Sequence, residues 1–292
     1  MSRNIMLTVA YEGSAYRGWQ IQPNGLTVQE CIERATERLF GTRHKLYCAG
    51  RTDAGVHAIG QVANFSTEST IEAHQIRRGL QAYLPDDIAI VQSREVAADF
   101  HSTFSAIKKR YRYLIYDGDI MPPFYRRFVY YHKGMLQSER IAEALTDLLG
   151  RQDFRCFETQ YPNKATSVRT ILEANIRRVP IWDFWQGHHS WQSLDARHHE
   201  AADCPLLCFE VMADGFLYNM VRAIVGTFIQ IGRGRKPVSH LKDVIQSLDR
   251  GEAGTNVPSE GLYLVKVDYP DELMHPAAEQ NTSSDFNKDQ PR

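Results

Sequence analysis

A nine-residue stretch, GRTDAGVHA, holds the residue types best suited to chemistry in this 292-residue sequence. It runs from Gly50 to Ala58 between two predicted strands, and Gly50 and Gly55 flank Asp53. Because glycine permits positive φ angles and close backbone approach, these residues predict a tight loop at the end of a sheet. A carboxylate held in such a loop can act as a nucleophile, a base or a metal ligand.

Asp53 and His57 also have structural interpretations. An aspartate in a tight loop often accepts hydrogen bonds from nearby backbone N–H groups, as in an Asx turn. A histidine in such a setting more often makes structural hydrogen bonds than it transfers protons. The loop offers no second carboxylate at a useful spacing, which argues against a metal site. The residue types alone therefore leave both catalytic and structural roles open for Asp53.

Basic residues are concentrated in two segments, although 34 basic and 35 acidic residues give the sequence a net charge of −1. That balance excludes binding to nucleic acid through bulk positive charge, but it permits a local basic surface. One segment, Lys108 to Tyr113, reads KKRYRY, and the other extends from Arg222 to Lys236. Each segment is either a solvated face of the protein or a surface that binds RNA.

The first hundred residues predict the element order β-α-β-β-α-β. A capping box over Thr27–Glu30 starts one helix, which ends at Gly41, and a second helix over 71–84 ends before Pro85. Alternating or apolar segments predict four strands, at residues 5–11, 45–49, 61–65 and 87–92. This is the split βαβ order of ferredoxin-like domains.

The second half predicts a looser version of the same order. Ser138 is the predicted N-cap of a helix over 138–149, and two more helices are expected over 216–231 and 238–248. Further strands are predicted at 111–116, 128–132, 170–179, 206–212 and 262–269. We therefore expect an α+β fold of two ferredoxin-like (split βαβ) halves, with mostly antiparallel sheets flanked by helices and a cleft between them. The expected domains are 1–106, carrying the Asp53 loop, and 107–272, followed by a disordered tail over 273–292.

A polar insertion with no periodicity is expected at 180–204. Its histidines and the nearby cysteines suggest zinc, but their spacing matches no standard finger, so a solvated loop is favoured. The residues in question are His188, His189, His198, His199, Cys204 and Cys208.

The sequence favours a cytoplasmic protein with no membrane segment. Five cysteines without a C-x-x-C motif suit a reducing compartment, and the N-terminus lacks the apolar core of a signal peptide. The longest apolar stretch, 216–231, is interrupted by polar residues and is shorter than the roughly 20 residues that a span needs.

Ten short motifs, in order over residues 4–270, together resemble the tRNA pseudouridine synthase A family. They are GRTDAGVHA, YEGSAYRGWQ at 11–20, TVQ at 27–29, GQVA at 60–63, FH at 100–101, KRYRY at 109–113, DF with RT at 153–154 and 169–170, MVRAIVG at 220–226 and GLYL at 261–264.

The resemblance implies an isomerase that converts uridine to pseudouridine at positions 38, 39 and 40 of the tRNA anticodon stem-loop, with neither metal nor cofactor. By this resemblance Asp53 is the catalytic aspartate, either a nucleophile that attacks the base or the ribose or a group that assists deprotonation of the sugar. Arg222 is the arginine that pairs with it. Tyr111 corresponds to the tyrosine that stacks on the flipped base, although strand alternation alone allows either Tyr111 or Tyr113 to be a core residue. The implied RNA contacts are Arg51, Lys108, Lys109, Arg110 and Arg112, and the implied assembly is a homodimer.

Two alternatives differ in class. The first is a non-catalytic module that binds or folds tRNA on the same scaffold, which would not require Asp53, Tyr111 and Arg222 together. The second is an enzyme that uses Asp53 as a nucleophile for phosphoryl or acyl transfer. The sequence has no P-loop, Ser-His arrangement or acidic metal cluster to support that chemistry.

Overall fold

The computed structural model describes residues 2–159, 166–179 and 205–276. Within it the chain divides into two compact units. The first contains the residues up to Ile107 and those from Lys266 onward, and the second is Lys108–Val265. Each unit is described separately.

The first unit has the predicted order β-α-β-β-α-β. Its β2 pairs with β3, and β3, β1 and β4 follow one another in the sheet, every pair being antiparallel. This is the arrangement of a split βαβ domain, as predicted. Its elements are β1 (Arg3–Tyr11), α1 (Val28–Phe40), β2 (Tyr47–Cys48), β3 (His57–Thr67), α2 (Ala73–Gln81) and β4 (Ile88–Val96).

Local sequence signals place α1 correctly. The side chain of Thr27 accepts a hydrogen bond from the backbone N–H of Glu30 at 3.4 Å, so the predicted N-cap is present. Gly41 ends the helix in the left-handed region at φ +76°, where glycine lacks the Cβ that makes this conformation costly. Val28, Ile32 and Ala35 lie on the buried face.

Element lengths differ from the prediction where tertiary contacts decide them. β3 begins at His57 rather than at residue 61, because pairing with β1 extends to the partners Tyr11 and Ala58. β2 contains only Tyr47 and Cys48. α2 ends at Gln81, four residues before Pro85, because the next backbone N–H groups bond in tighter turns.

The second unit contains a sheet in the order β10-β5-β9-β8-β7, with β6 parallel to β5. The pairs β5–β9, β9–β8 and β8–β7 are antiparallel. The fold is thus α+β with mostly antiparallel strands flanked by helices. Its elements are β5 (Lys108–Tyr116), β6 (Tyr130–Tyr131), α3 (Ser138–Ala144), β7 (Gly150–Asp153), β8 (Val168–Val179), β9 (Leu206–Ala213), α4 (Met220–Gly232), α5 (His240–Ser247) and β10 (Leu262–Asp268), whose end belongs to the first unit.

Two local predictions for the second unit were wrong, and one strand was missed. Gln137, not Ser138, is the N-cap residue of α3, and the Ser138 hydroxyl instead donates to the Glu139 carboxylate. α4 starts at Met220 rather than at 216, after Asn219 adopts a left-handed conformation with φ +59°. β7 was not predicted, because four residues with two exposed positions carry no alternation.

The predicted insertion at 180–204 lies outside the described residues, and so do the residues of the zinc hypothesis except Cys208, which is buried on β9. The predicted tail beyond residue 276 also lies outside them. Among the helices of the described ranges, none combines the length and apolar character needed to cross a membrane.

Candidate active site

The loop between β2 and β3 holds Asp53 on a backbone fixed by hydrogen bonds. The N–H of Val56 donates to the carbonyl of Asp53 at 3.1 Å and closes a turn around the residue. On either side, the carbonyl of Thr52 accepts from the N–H of Trp19 at 3.0 Å, and Gln61 Nε2 donates to the carbonyl of Gly50 at 2.7 Å. The loop therefore presents the half-exposed Asp53 side chain from a defined position.

Buried side chains support this loop from below. The hydroxyls of Tyr11 and Thr52 bond to each other at 2.7 Å, and burial raises the pKa of Tyr11 well above its ordinary value, so the phenol stays neutral. The buried His57 accepts the N–H of Gly13 at Nδ1, at 3.0 Å, so this nitrogen carries no proton. This contact is a structural hydrogen bond, the first of the two roles considered for His57.

Two glycines let residues 12–20 pack directly against the Asp53 loop. A Cβ at Gly18 would lie 2.5 Å from the carbonyl oxygen of Thr52, and the residue has φ +85°. A Cβ at Gly13 would collide with the carbonyl of Val56. These close approaches explain why the segment YEGSAYRGWQ accompanies GRTDAGVHA in this chain, a relation that the separate motifs did not reveal.

In the second unit, the structure distinguishes Tyr111 from Tyr113. Tyr113 is 0% exposed, and its hydroxyl donates to the carbonyl of Pro258 at 2.7 Å. Tyr111 retains 9% exposure, and its ring packs against Phe216 with an edge-to-face geometry, 4.9 Å between centroids. Both tyrosines are thus largely buried, and Tyr111 is the one of the two that keeps a small exposed fraction.

Arg222 lies in the first turn of α4, where two contacts orient its guanidinium. Its Nε donates to the carbonyl of Val257 at 2.6 Å, and its Nη1 donates to Oδ1 of Asn219 at 2.8 Å. The loop containing Val257 packs closely on α4 because Gly226 leaves room for the carbonyl of Thr255. These contacts leave little freedom for the charged group.

The basic residues of β5 do not form one exposed cluster. Arg112 is fully buried and pairs with Glu210 at 2.7 Å, so its predicted RNA contact is wrong. Arg110 is also buried and pairs with Glu173 at 2.6 Å, which argues against direct contact with phosphate. The physical reason is that β5 lies inside the sheet, between β10 and β9, and both of its faces are covered. Lys108 and Lys109, at the start of the strand, remain half-exposed.

The predicted site residues thus belong to both units. Asp53 and the exposed Arg51 belong to the first unit, whereas Tyr111, Lys109, Arg110 and Arg222 belong to the second. Within the described ranges, no group of three or more His, Cys, Asp or Glu side chains has an arrangement suited to a metal ion.

Comparisons with known proteins agree with the motifs. A family model described as tRNA pseudouridine synthase matches residues 7–105 and 144–270. The tRNA pseudouridine synthase A of Acetivibrio thermocellus is 40% identical over 267 residues, which cover 91% of this chain and 100% of the relative. That of Syntrophomonas wolfei subsp. wolfei is 41% identical over 272 residues, which cover 93% and 99%.

By these matches this chain is an enzyme of the isomerase class. It belongs to the tRNA pseudouridine synthase family, which confirms the resemblance drawn from its motifs. Asp53 lies in the first matched segment and Arg222 in the second, whereas Tyr111 falls between them.

Proposed function

We propose that this enzyme converts uridine to pseudouridine at positions 38, 39 and 40 of the tRNA anticodon stem-loop, with Asp53 as the nucleophile. The observation that carries the proposal is the position of Asp53, on a braced loop inside the first segment that the family model matches. A half-exposed carboxylate on a fixed backbone needs little reorganisation to react.

The reaction exchanges one bond for another within the same nucleotide. The C1′–N1 bond breaks, the uracil turns in the site, and a C1′–C5 bond forms, while N1 gains a proton and C5 loses one. Asp53 acts in its ionised form, by attack on the uracil ring or on the ribose. No net redox change or hydrolysis occurs, so the proposed chemistry requires neither metal nor cofactor.

Arg222 has the role of holding that carboxylate ionised. A guanidinium close to a carboxylate favours its charged form and restricts its orientation. The contacts of Arg222 with Val257 and Asn219 support this role, because they fix the direction of the guanidinium before substrate arrives. An arginine oriented in this way is a positioning residue for Asp53.

Tyr111 is the proposed stacking partner of the target base, and its two simplest variants should differ. Tyr111→Phe keeps the aromatic face and should retain turnover within a few-fold. Tyr111→Ala removes the face and should lower kcat/KM by about 10- to 100-fold, since one base–aromatic stack contributes roughly 1–3 kcal/mol. Steady-state pseudouridine formation measures both. Equal losses in the two variants would assign the role to the hydroxyl instead.

The RNA surface is proposed to include Arg51 and Lys109, which are exposed or half-exposed, and not Arg110 or Arg112, which are buried in ion pairs. We also propose that the enzyme is a cytoplasmic homodimer. The second candidate function is a tRNA-binding or tRNA-folding module without catalysis, on the same scaffold.

One assay separates these candidates. Purified protein is incubated with an unmodified tRNA transcript bearing uridines at 38, 39 and 40, without added metal or cofactor. Pseudouridine is then mapped by chemical labelling and primer extension, with a transcript carrying cytidine at all three positions as the control. Product confined to positions 38–40 supports the proposal. Tight binding without product would support the binding module, and product elsewhere would refute the assigned positions.

A further inference from the structure

An exposed row of aromatic rings lies at the start of the Asp53 loop. The ring centroids of Tyr47 and His101 are 4.8 Å apart, and those of His101 and Phe104 are 4.5 Å apart. Tyr47 is 41% exposed and Phe104 is 84% exposed. We name Tyr47, His101 and Phe104 the ring platform. Large aromatic side chains gain from burial, so a surface row of this kind suggests a binding partner.

The ring platform is held in place by its backbone. The hydroxyl of Thr103 donates to the carbonyl of Cys48 at 2.6 Å and joins the segment 101–105 to β2. The N–H of Thr103 donates to Nδ1 of His101 at 3.1 Å, which fixes the orientation of the imidazole. The N–H of Ser102 donates to Oδ1 of Asn64 at 2.9 Å, on β3. The rings are thus presented in a preset arrangement, which reduces the ordering cost of binding.

A positive charge accompanies these rings. The ammonium of the exposed Lys45 lies 5.3 Å from the centroid of the Tyr47 ring, within the range of a cation–π contact. Aromatic faces combined with a nearby cation are the features with which proteins bind single-stranded nucleic acid, because bases stack and phosphates are neutralised. A second copy of this chain could cover the aromatic rings, but such a contact would give no role to the positive charge of Lys45.

The position of the ring platform in the chain connects it to the proposed chemistry. β2 ends at Cys48, and Asp53 follows five residues later, so their Cα atoms are separated by no more than about 18 Å. One RNA strand can span that distance, since single-stranded sites commonly extend over about 4–16 nucleotides.

We propose that the ring platform stacks an unpaired base of the RNA substrate next to the nucleotide that reacts. This inference rests on the proposed function and extends it to a second nucleotide, distinct from the base assigned to Tyr111. Stacking at the platform holds the strand so that the neighbouring nucleotide reaches Asp53. Lys45 neutralises a phosphate of the same strand.

The test compares Phe104→Ala and Tyr47→Ala with Tyr83→Ala in the full-length enzyme. Tyr83 is a matched control, because it is 42% exposed and belongs to the same unit. It lies next to β4, and in the strand order β4-β1-β3-β2 that strand is at the opposite end from β2. We expect each platform variant to weaken tRNA binding, measured by filter binding, by at least about fivefold, the lower end of what one lost stack causes. Tyr83→Ala should bind as the wild type does. Platform variants that bind like Tyr83→Ala would overturn the inference.

Two further variants separate stacking from apolar packing. Phe104→Trp keeps an aromatic face and should restore binding, whereas Phe104→Leu keeps only the apolar volume and should not. Rescue by leucine would refute base stacking. Abasic residues are then placed one at a time in the anticodon loop. At one position, where the base that stacks on the platform is already missing, Phe104→Ala should cause no additional loss of tRNA binding. The absence of any such position would also refute base stacking at the platform.

Two remaining outcomes are distinguishable from failure of the platform alone. If Phe104→Ala shifts the sedimentation coefficient of the free enzyme, the rings form a contact between copies and the inference fails. If the wild-type enzyme neither binds nor modifies tRNA, the proposed function fails and the inference fails with it. Normal pseudouridine formation by the wild type, with unchanged binding by the platform variants, refutes the platform while the proposed function stands.

Discussion

Asp53→Asn should abolish pseudouridine formation while leaving tRNA binding close to that of the wild type. The amide has nearly the same shape as the carboxylate, so the hydrogen bonds that fix the loop backbone through Thr52, Asp53 and Val56 can persist. It cannot supply the negative charge and nucleophilic oxygen that the reaction needs. We expect turnover to fall by at least about a thousandfold, as for the loss of an essential nucleophile.

Single-turnover pseudouridine formation measures the loss, and filter binding measures affinity in the same preparations. Asp86→Asn is the control, because Asp86 is an exposed aspartate of the same unit that lies in the connection between α2 and β4. It should leave both quantities unchanged. Turnover of Asp53→Asn within tenfold of the wild type would refute nucleophilic or basic catalysis by this carboxylate.

Arg112→Met should cause the largest loss of stability among the substitutions considered. Arg112 and Glu210 are direct cross-strand partners on β5 and β9, with exposures of 0% and 1%. Two contacts join them, Nε to Oε1 at 2.9 Å and Nη2 to Oε1 at 2.7 Å. Removing the arginine leaves a buried carboxylate without this partner, which costs about 3–5 kcal/mol of unfolding free energy.

Urea denaturation measures this loss, provided that the m-values agree. The double variant Arg112→Met/Glu210→Met should recover much of the stability, since an apolar pair of similar volume often replaces a buried ion pair without net cost. Arg34→Met is the control, because the Arg34–Glu30 pair is an exposed i,i+4 pair and should contribute less than about 0.5 kcal/mol. A loss below 1 kcal/mol for Arg112→Met would show that the pair does not support the fold.

The local features of this protein were readable directly from its residues. The capping box at Thr27 and the glycine at residue 41 define α1, and apolar alternation predicts β1, because both signals act over a few neighbouring positions. The order of elements in the first unit followed from these signals. The Asp53 loop was likewise recognisable, since its glycines and its motif are contiguous.

Only the tertiary structure decided which side chains of β5 are accessible. Strand alternation groups Tyr111 with Tyr113 and Arg110 with Arg112, but it does not show that β5 is a central strand buried on both faces. The fully buried Arg112 depends on Glu210, 98 residues further along the chain. The KKRYRY segment therefore suggested an exposed basic face, whereas the structure shows Arg112 in a buried ion pair with Glu210 and the buried Arg110 paired with the exposed Glu173.

The ring platform and the bracing of Asp53 are also products of long-range contacts. Tyr47 meets His101 through the hydrogen bond between Thr103 and Cys48, which are 55 residues apart in the chain. Glycine is required at positions 13 and 18 only because residues 12–20 pack on the Asp53 loop. Capping and alternation reflect the energetics of neighbouring residues, whereas burial and close approach depend on which distant segments the folded chain brings together.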